Sequence, residues 1–198
     1  MSLPRRILLI ALLTAPVPAC AAGAATAEHI RGTIAGITGS YLRVRTTQGR
    51  TVTVAVPTDA PVSVVVPATF GDIKAGSYIG TAAVPGPDGT LRALEVHVFP
   101  EGMQGMGQGS HPWDLGPGST MTAGIVDKID GRRLTVIWRG GKQTVTVPPD
   151  APIVTYAETG ADPLVPGAHV VIAAEPSTDG LPRADRIVVG RNGIVPPM

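Results

Sequence analysis

The sequence predicts an all-β protein that contains two copies of one small domain, and two observations carry this prediction. The composition favours strands and turns, because the 198 residues include 25 Gly and 20 Pro and are rich in Val and Thr. The chain also repeats itself, since residues 32–98 align with residues 124–189 at an offset of 92 that becomes 91 after a one-residue gap. Hydrophobic residues form 43% of the chain, so each copy can bury a core.

Two segments carry the internal repeat. Residues 54–61 match residues 145–152, and both segments contain Asp-Ala-Pro. Residues 82–93 match residues 173–184, and both contain Asp-Gly with Arg-Ala shortly after it. Two unrelated domains would not share both segments, so the copies are expected to have the same fold.

The first copy begins with three short segments that are rich in β-branched residues. They predict strands at 30–37, 41–46 and 51–56. Thr38-Gly39-Ser40 and Gln48-Gly49-Arg50 separate these segments and are typical of hairpin turns. A meander of three strands is therefore expected at the start of each copy.

A helical turn and two more strands complete the copy. Thr69 followed three residues later by Asp72 predicts a short helical turn, which Gly76 closes. Strands are then predicted at 77–84 and 91–99. Three strands, a helical turn and two strands form the order of a small OB-like β-barrel, in which closure leaves little exposed edge.

The repeat boundaries divide the chain into parts. The first OB-like barrel is predicted at 28–99 and the second at 122–198, joined by a Gly/Met/Pro-rich linker at 100–121. Flexible linkers are rich in Gly and Ser, whereas this linker also contains Met, His and Trp residues. A connection of this length without secondary structure is usually functional or disordered, and we expect it to pack between the barrels.

The N-terminus is typical of a secretory signal peptide, which spans 1–27. Arg5 and Arg6 form its basic region, residues 7–13 its apolar region, and residues 25–27 its small-residue cleavage site. The sequence therefore predicts export to the periplasm. The apolar run is far shorter than the ~20 residues that a membrane helix needs, so no membrane span is expected in the mature chain.

Cys20 is the only cysteine of the chain and lies near the end of the signal peptide. Two outcomes are open. Cleavage before Cys20 would leave a lipid anchor on that residue, whereas cleavage after Ala27 would leave a mature chain without a thiol or a disulfide. In the second case stability depends on packing and hydrogen bonds alone.

The charge pattern argues against one class of partner. Without Arg5 and Arg6, 14 of the 16 basic residues remain against 15 acidic residues, so the formal net charge is −1. Charges of both signs are interspersed, whereas a protein that binds nucleic acid needs a basic stripe. We therefore expect no nucleic-acid partner.

Four strings in the mature chain carry a resemblance to a known family. They are Leu94-Glu95-Val96-His97-Val98-Phe99-Pro100-Glu101, Pro112-Trp113-Asp114-Leu115, residues 147–154, and the final Val195-Pro196-Pro197-Met198. Over nearly the whole mature length the chain resembles exported bacterial proteins of unknown function that have tandem OB-like β domains and are often labelled metal ABC transporter permeases. The family's linker has Glu-Gly-His-Arg before Pro-Trp-Asp, where this chain has Gln108-Gly109-Ser110-His111. The resemblance implies the fold and export, but a permease would need several spanning helices.

Metal binding is one hypothesis for the linker region. His97, Met103, Met106 and His111 offer imidazole and thioether groups, which suit copper in an oxidising compartment. The alternative is that these residues are structural. In that case His97 lies on the solvent-facing side of a strand whose Val96 faces inward, and the two methionines pack the linker against a barrel.

Trp113 and Asp114 support a second hypothesis, in which the linker covers a groove and Trp113 stacks on a sugar or peptide ligand. The alternative is that Trp113 fills an interface and Asp114 caps the turn at Leu115 and Gly116.

No catalytic constellation is found in the sequence. No serine lies in Gly-x-Ser-x-Gly, and no histidine has an evident serine and acid partner, so neither an enzyme nor a cofactor is expected. The first hypothesis is a periplasmic, non-enzymatic binding or scaffolding protein of the cell envelope that recognises a small ligand or another envelope protein. The alternative is a periplasmic metal-handling accessory protein, for copper or another divalent metal, associated with a transporter.

Overall fold

The computed structural model describes residues 28–86, 89–158 and 163–197, and this part of the chain is all-β, as predicted. Its fourteen strands are, in chain order, β1 (Glu28–Thr38), β2 (Tyr41–Thr46), β3 (Thr51–Ala55), β4 (Val62–Pro67), β5 (Tyr78–Pro85), β6 (Leu91–Ala93), β7 (Val96–Phe99), β8 (Gly109–Pro112), β9 (Thr120–Asp130), β10 (Arg133–Trp138), β11 (Gly141–Thr146), β12 (Ile153–Ala157), β13 (His169–Glu175) and β14 (Arg183–Gly190). Among the described residues, short 3₁₀ turns lie at Phe70–Asp72, Glu101–Met103 and Arg191–Gly193. None of these helical segments has the length needed to cross a membrane.

The strands form one hydrogen-bonded sheet in which two sets of strands close on themselves. The first ring contains β1, β2, β3, β14 and β13, and the pairing of β13 with both β14 and β1 closes it. The second ring contains β9, β10, β11, β6 and β5, and the pairing of β5 with both β6 and β9 closes it. Strands β4, β12 and β7 lie between the two rings, and we call them the seam.

Each ring combines strands from both copies of the sequence repeat. The first ring takes its meander from the first copy and its last two strands from the second, and the second ring does the reverse. The buried core of the first ring accordingly contains Ile30, Ile34, Leu42, Val44, Val54, Val170, Ile172, Ala174, Ala184, Ile187 and Val189. The predicted arrangement with one barrel at 28–99 and another at 122–198 is therefore not confirmed. The last two strands of either copy offer the same hydrogen-bonding edges to a meander. The sequence repeat therefore does not reveal which copy completes each ring.

The seam relates the two copies by an approximate two-fold axis. β4 and β12 occupy matching places in the repeat and pair with each other, antiparallel, with Val65 opposite Tyr156 and Val66 opposite Thr155. β4 then pairs in parallel with β14, and β12 pairs in parallel with β7. Val65, Val154 and Val188 form a small buried cluster at this axis. The sequence pattern did not predict either β4 or β12.

Two glycines lie where β1 and β9 approach a neighbouring strand closely. A Cβ atom at Gly32 would collide with the carbonyl oxygen of Arg45, and one at Gly124 would collide with the carbonyl oxygen of Ile137. Gly32 lies where β1 changes from pairing with β13 to pairing with β2. The absence of a side chain lets the strands approach closely at this bend.

The predicted helical turn after β4 is a 3₁₀ turn at Phe70–Asp72. The Asp72 carboxylate accepts hydrogen bonds from the backbone N–H and the hydroxyl of Thr69, both at 2.7 Å. Gly76 follows with a positive φ of 88°. The capping pattern was therefore correctly interpreted, and the turn leads the chain into β5.

The predicted linker is more ordered than a connection without secondary structure. It contains the 3₁₀ turn at Glu101–Met103 and the strand β8, which pairs antiparallel with β9. β8 extends the sheet beyond the second ring, because β9 already pairs with β5 and β10.

Candidate functional site

The outer face of the first ring carries an aromatic side chain and two guanidinium groups along one strand. Leu42 and Val44 of β2 point into the core, so the alternation of the strand places Tyr41, Arg43 and Arg45 outside. Tyr41 is 44% exposed, so a large part of its ring surface is accessible to a ligand. We call these three residues the β2 row.

The strands beside the β2 row present small side chains. Thr53 lies opposite Arg43 and Thr51 opposite Arg45 on β3. On β1 the corresponding positions are Gly36 and Thr33. The side chains of Arg43 and Arg45 therefore rise above a low surface and remain accessible to a ligand.

Neither Arg43 nor Arg45 takes part in an ion pair among the described residues. Arg50, in the turn after β2, has none either. Unpaired guanidinium groups are free to bind carboxylate or phosphate in the bidentate geometry that arginine favours.

A cleft lies at each end of the β2 row. The cleft beside Tyr41 has a volume of about 350 Å³ and is lined in part by Ile37 and Leu164. The cleft beside Arg45 has a volume of about 270 Å³ and is lined in part by Thr33 and His169. The row thus connects two mainly apolar clefts, and His169 and Thr33 add polar groups to the one beside Arg45.

The seam contains a second cluster of chemically active side chains, which includes His97. The prediction that His97 faces solvent is wrong, because its side chain is only 1% exposed. The predicted strand 91–99 is interrupted, and its second part, β7, lies between β12 and β5. The C-terminal tail packs over this region, so simple alternation of inward and outward residues does not apply.

Glu95 is a candidate site residue that the sequence pattern missed. It immediately precedes β7 and is 3% exposed, although carboxylates are seldom fully buried. The Glu95 Oε1 atom lies 3.7 Å from the His97 Nε2 atom and has no hydrogen-bond partner among the described residues. Glu95 is buried because β7 lies between two other strands and under the C-terminal tail. The residues next to Glu95 in the sequence give no sign of that burial.

The His97 ring holds the C-terminal tail. Its Nε2–H donates a hydrogen bond of 3.2 Å to the carbonyl oxygen of Pro197, while its Nδ1 is buried without a partner among the described residues. Met106 occupies the matching position after the first copy, and its carbonyl accepts a hydrogen bond of 3.0 Å from the Tyr78 hydroxyl. Both copies therefore end in a tail that a buried side chain holds.

Tyr156 of β12 completes the cluster at the seam. Its ring stacks on Phe99 with centroids 5.2 Å apart and lies 5.8 Å from the His97 ring. Burial raises the pKa of Tyr156 to about 12, with Arg186 opposing the rise and Glu95 adding to it. The phenol therefore stays neutral over the physiological pH range.

The structure does not bring together the four residues predicted as a copper site. His97 lies on β7 and His111 on β8, and strands β5 and β9 lie between them. Met106 is 41% exposed, His111 is exposed, and Met103 is half-buried. Within the described ranges no three His, Cys, Asp or Glu side chains converge on one point.

Trp113 and Asp114 attach the linker to the first ring. The Asp114 carboxylate accepts two hydrogen bonds from Arg31, at 3.0 and 2.7 Å, and one from His29 Nδ1 at 3.0 Å. The Trp113 ring lies 4.6 Å from the His29 ring. Asp114 thus bonds to β1 side chains, and this contact differs from the predicted cap of the turn at Leu115.

The hydrogen bond from Arg31 holds the pKa of Asp114 below its ordinary value. Burial opposes this effect, and the hydrogen bond from His29 adds to it. The Trp113 indole N–H is buried without a hydrogen-bond partner among the described residues. Ser119 orders the turn, because its hydroxyl donates a hydrogen bond of 2.7 Å to the carbonyl of Trp113. These contacts fit the interpretation in which Trp113 fills an interface.

Comparison with family models, curated proteins and solved structures finds no match to this chain. Cys20 and the predicted signal peptide at 1–27 lie outside the described residues. The geometry of the β2 row and of the seam is therefore the basis for the functional argument.

Proposed function

We propose that this protein is a non-enzymatic binding module of the cell envelope that recognises an acidic oligosaccharide on the outer face of its first ring. The observation that carries the proposal is the β2 row, in which an exposed Tyr41 precedes the unpaired guanidinium groups of Arg43 and Arg45 on one strand. An aromatic ring can stack on a sugar while arginines bind its carboxylates.

The strand order supports the choice of face. We infer that each ring is a small OB-like barrel, because its strands follow the order first, second, third, fifth, fourth when the exchanged strands are counted as the last two. Its third and fifth strands pair in parallel in both rings. OB folds bind oligonucleotides and oligosaccharides on the face of their second and third strands, and the β2 row lies there.

The local charge favours an anionic ligand although the mature chain is near neutral. Between residues 28 and 56 the chain has Arg31, Arg43, Arg45 and Arg50 but only one acidic residue, Glu28. Since Arg31 is engaged with Asp114, three arginines remain for a ligand. Binding of nucleic acid through its backbone depends on a basic stripe that neutralises several phosphates, and three arginines form only a small one. A short acidic sugar chain fits better.

The second ring supplies a matched control surface. At the repeat-equivalent positions of Tyr41, Arg43 and Arg45 it has Arg133, Thr135 and Ile137. This face lacks both the aromatic ring and the pair of guanidinium groups. Binding is therefore expected on one ring only.

Calorimetric titration with an oligouronate, with a neutral glucan of equal length as control, tests the proposal. We expect 1:1 binding of the oligouronate that weakens with salt, and a loss of at least tenfold in affinity for Arg43→Ala with Arg45→Ala. The control Arg133→Ala should bind as the parent protein does. No binding by the parent protein, or equal affinity in the double variant, would overturn the proposal. Tighter binding of single-stranded DNA to the same arginines would overturn the assignment to sugar.

Export remains part of the proposal. The predicted signal peptide at 1–27 would deliver the module to the periplasm, either free or anchored at Cys20, where acidic sugar chains of the envelope are accessible. Mass spectrometry of the protein recovered from envelope fractions distinguishes an N-terminal Glu28 from a lipid-modified Cys20.

A further inference from the structure

The seam contains a buried glutamate and a buried histidine that have no counterparts at the equivalent positions of the second copy. Glu95 and His97 are buried at 3% and 1% exposure. Their repeat-equivalents are Arg186 and Val188, and Val188 is also buried, at 4% exposure. A valine therefore fills the matching buried position in the second copy. Packing at the seam does not demand an imidazole, so the Glu95–His97 pair requires a separate explanation.

Two oxygen atoms that could act as ligands lie close to the His97 Nε2 atom. The His97 Nε2 atom lies 3.2 Å from the carbonyl oxygen of Pro197 and 3.7 Å from Glu95 Oε1. In a tetrahedral zinc site, bonds of about 2.0–2.1 Å separate the ligand atoms by about 3.3 Å. The two observed separations lie on either side of that value, and both are longer than a strong charge-assisted hydrogen bond.

The electrostatics of the pocket favour a cation. Glu95 Oε1 is buried and has no hydrogen-bond partner among the described residues. Its ion-pair contact with His97 Nε2, at 3.7 Å, exists only when the imidazole is protonated. A buried carboxylate that lacks a hydrogen bond is unfavourable, and a bound divalent cation would offset that penalty. Imidazole nitrogen and carboxylate oxygen are ligands of Zn²⁺ in proteins, whereas a carbonyl oxygen is more typical of harder divalent ions such as Mn²⁺.

We propose that the seam binds one divalent transition-metal ion, best matched by Zn²⁺, between His97 Nε2, Glu95 Oε1 and the carbonyl oxygen of Pro197. This site shares only His97 with the copper site expected from the linker, and it does not depend on the β2 row. The ion would secure the C-terminal tail over the valine cluster at the two-fold axis, to which Ile194 already packs. Its expected role is to stabilise the junction of the two rings.

Isothermal titration of the metal-stripped full chain with ZnCl₂ tests the proposal. We expect one equivalent to bind and to raise the midpoint of thermal unfolding by several degrees, because a ligand that binds only the folded state stabilises it. Glu95→Gln and His97→Gln should each lower the affinity at least tenfold. His111→Gln, which alters an exposed histidine on β8, is the matched control and should leave the affinity unchanged.

A spectroscopic measurement covers the case in which a seam variant does not fold. X-ray absorption of the zinc-loaded parent protein should show a nitrogen and oxygen shell with one imidazole and no sulfur. Absence of stoichiometric binding, a sulfur ligand, two imidazoles, or unchanged affinity in folded Glu95→Gln would each overturn the proposal. None of these results bears on oligouronate binding, so the two proposals fail separately.

Discussion

The Arg31 guanidinium and the Asp114 carboxylate form a bidentate ion pair that joins β1 to the linker, with N–O distances of 3.0 and 2.7 Å. The two residues are 83 positions apart in the chain. Because β1 begins the first ring and the linker leads into the second, this pair connects the two rings at a point away from the seam.

Replacement of Asp114 by Asn should destabilise the protein at neutral pH and have less effect in acid. The pKa of Asp114 is lowered in the folded state, so its carboxylate stabilises the fold above its ordinary pKa of 3.8 and loses that contribution as the pH falls through the lowered value. With 44% side-chain exposure, the expected loss is about 1 kcal/mol or less. Urea unfolding of both proteins at pH 7 and pH 3 measures it. Asp127→Asn, an exposed acid on β9, serves as the control, and an equal difference at both pH values would contradict the assignment.

Cleavage of the linker should leave the two halves associated. Each ring contains strands from both halves, so separation requires both rings to open. A protease site in place of the exposed residues 104–108 allows cleavage without disturbing a strand. The products should elute together in size-exclusion chromatography and separate only in denaturant. Independent elution under native conditions would instead support one barrel per repeat.

Gly32→Ala should destabilise the fold much more than Gly36→Ala, although both glycines lie on β1. A Cβ atom at Gly32 meets the Arg45 carbonyl, whereas one at Gly36 has nothing within 4 Å. Forcing a methyl group into the tight contact typically costs about 1–3 kcal/mol, while alanine at an open position is close to neutral. Chemical denaturation of the two variants gives the comparison. Similar losses in both would mean that the bend at Gly32 does not depend on the missing side chain.

Tyr156 should ionise only in strong alkali and should make stability depend on pH there. Its folded-state pKa is about 12, above the ordinary 10, so the unfolded chain loses the proton first. Stability is therefore retained below pH 10 and falls between pH 10 and 12 by about 2–3 kcal/mol. Titration of tyrosinate absorbance, compared with Tyr156→Phe, detects the late component. Loss of that component in the variant is expected, and a late component of unchanged amplitude would exclude Tyr156 as its source.

Local residue patterns predicted most of the secondary structure. The meander strands, the turns at Gly39 and Gly49, and the capped turn at Thr69 and Asp72 all depend on residues close in sequence, and the structure contains each of them. β4 and β12 were missed because each is a short apolar run next to proline. Such a run becomes a strand only when another strand pairs with it, and here each pairs with the other across the two-fold axis.

The two candidate sites also differ in how far the sequence could predict them. The outward alternation of Tyr41, Arg43 and Arg45 is readable from β2 alone, but its importance depends on which neighbouring positions are small and which charges are unpaired. The burial of Glu95 and His97 could not be predicted from the sequence, because the strands and the tail that cover them are distant in sequence.

Local patterns in the amino-acid sequence were enough to predict the all-β class of the described residues, the internal repeat and most of the turns, because turn chemistry and strand alternation are local properties. Which copy supplies each ring with its last two strands became visible only from the strand pairing in three dimensions. β1 and β3 could pair with equivalent edges from either copy, and the two choices bury equivalent residues. The exchanged arrangement then places β4 against β12, and the environment of Tyr156 and His97 at the seam exists only as a consequence of that pairing.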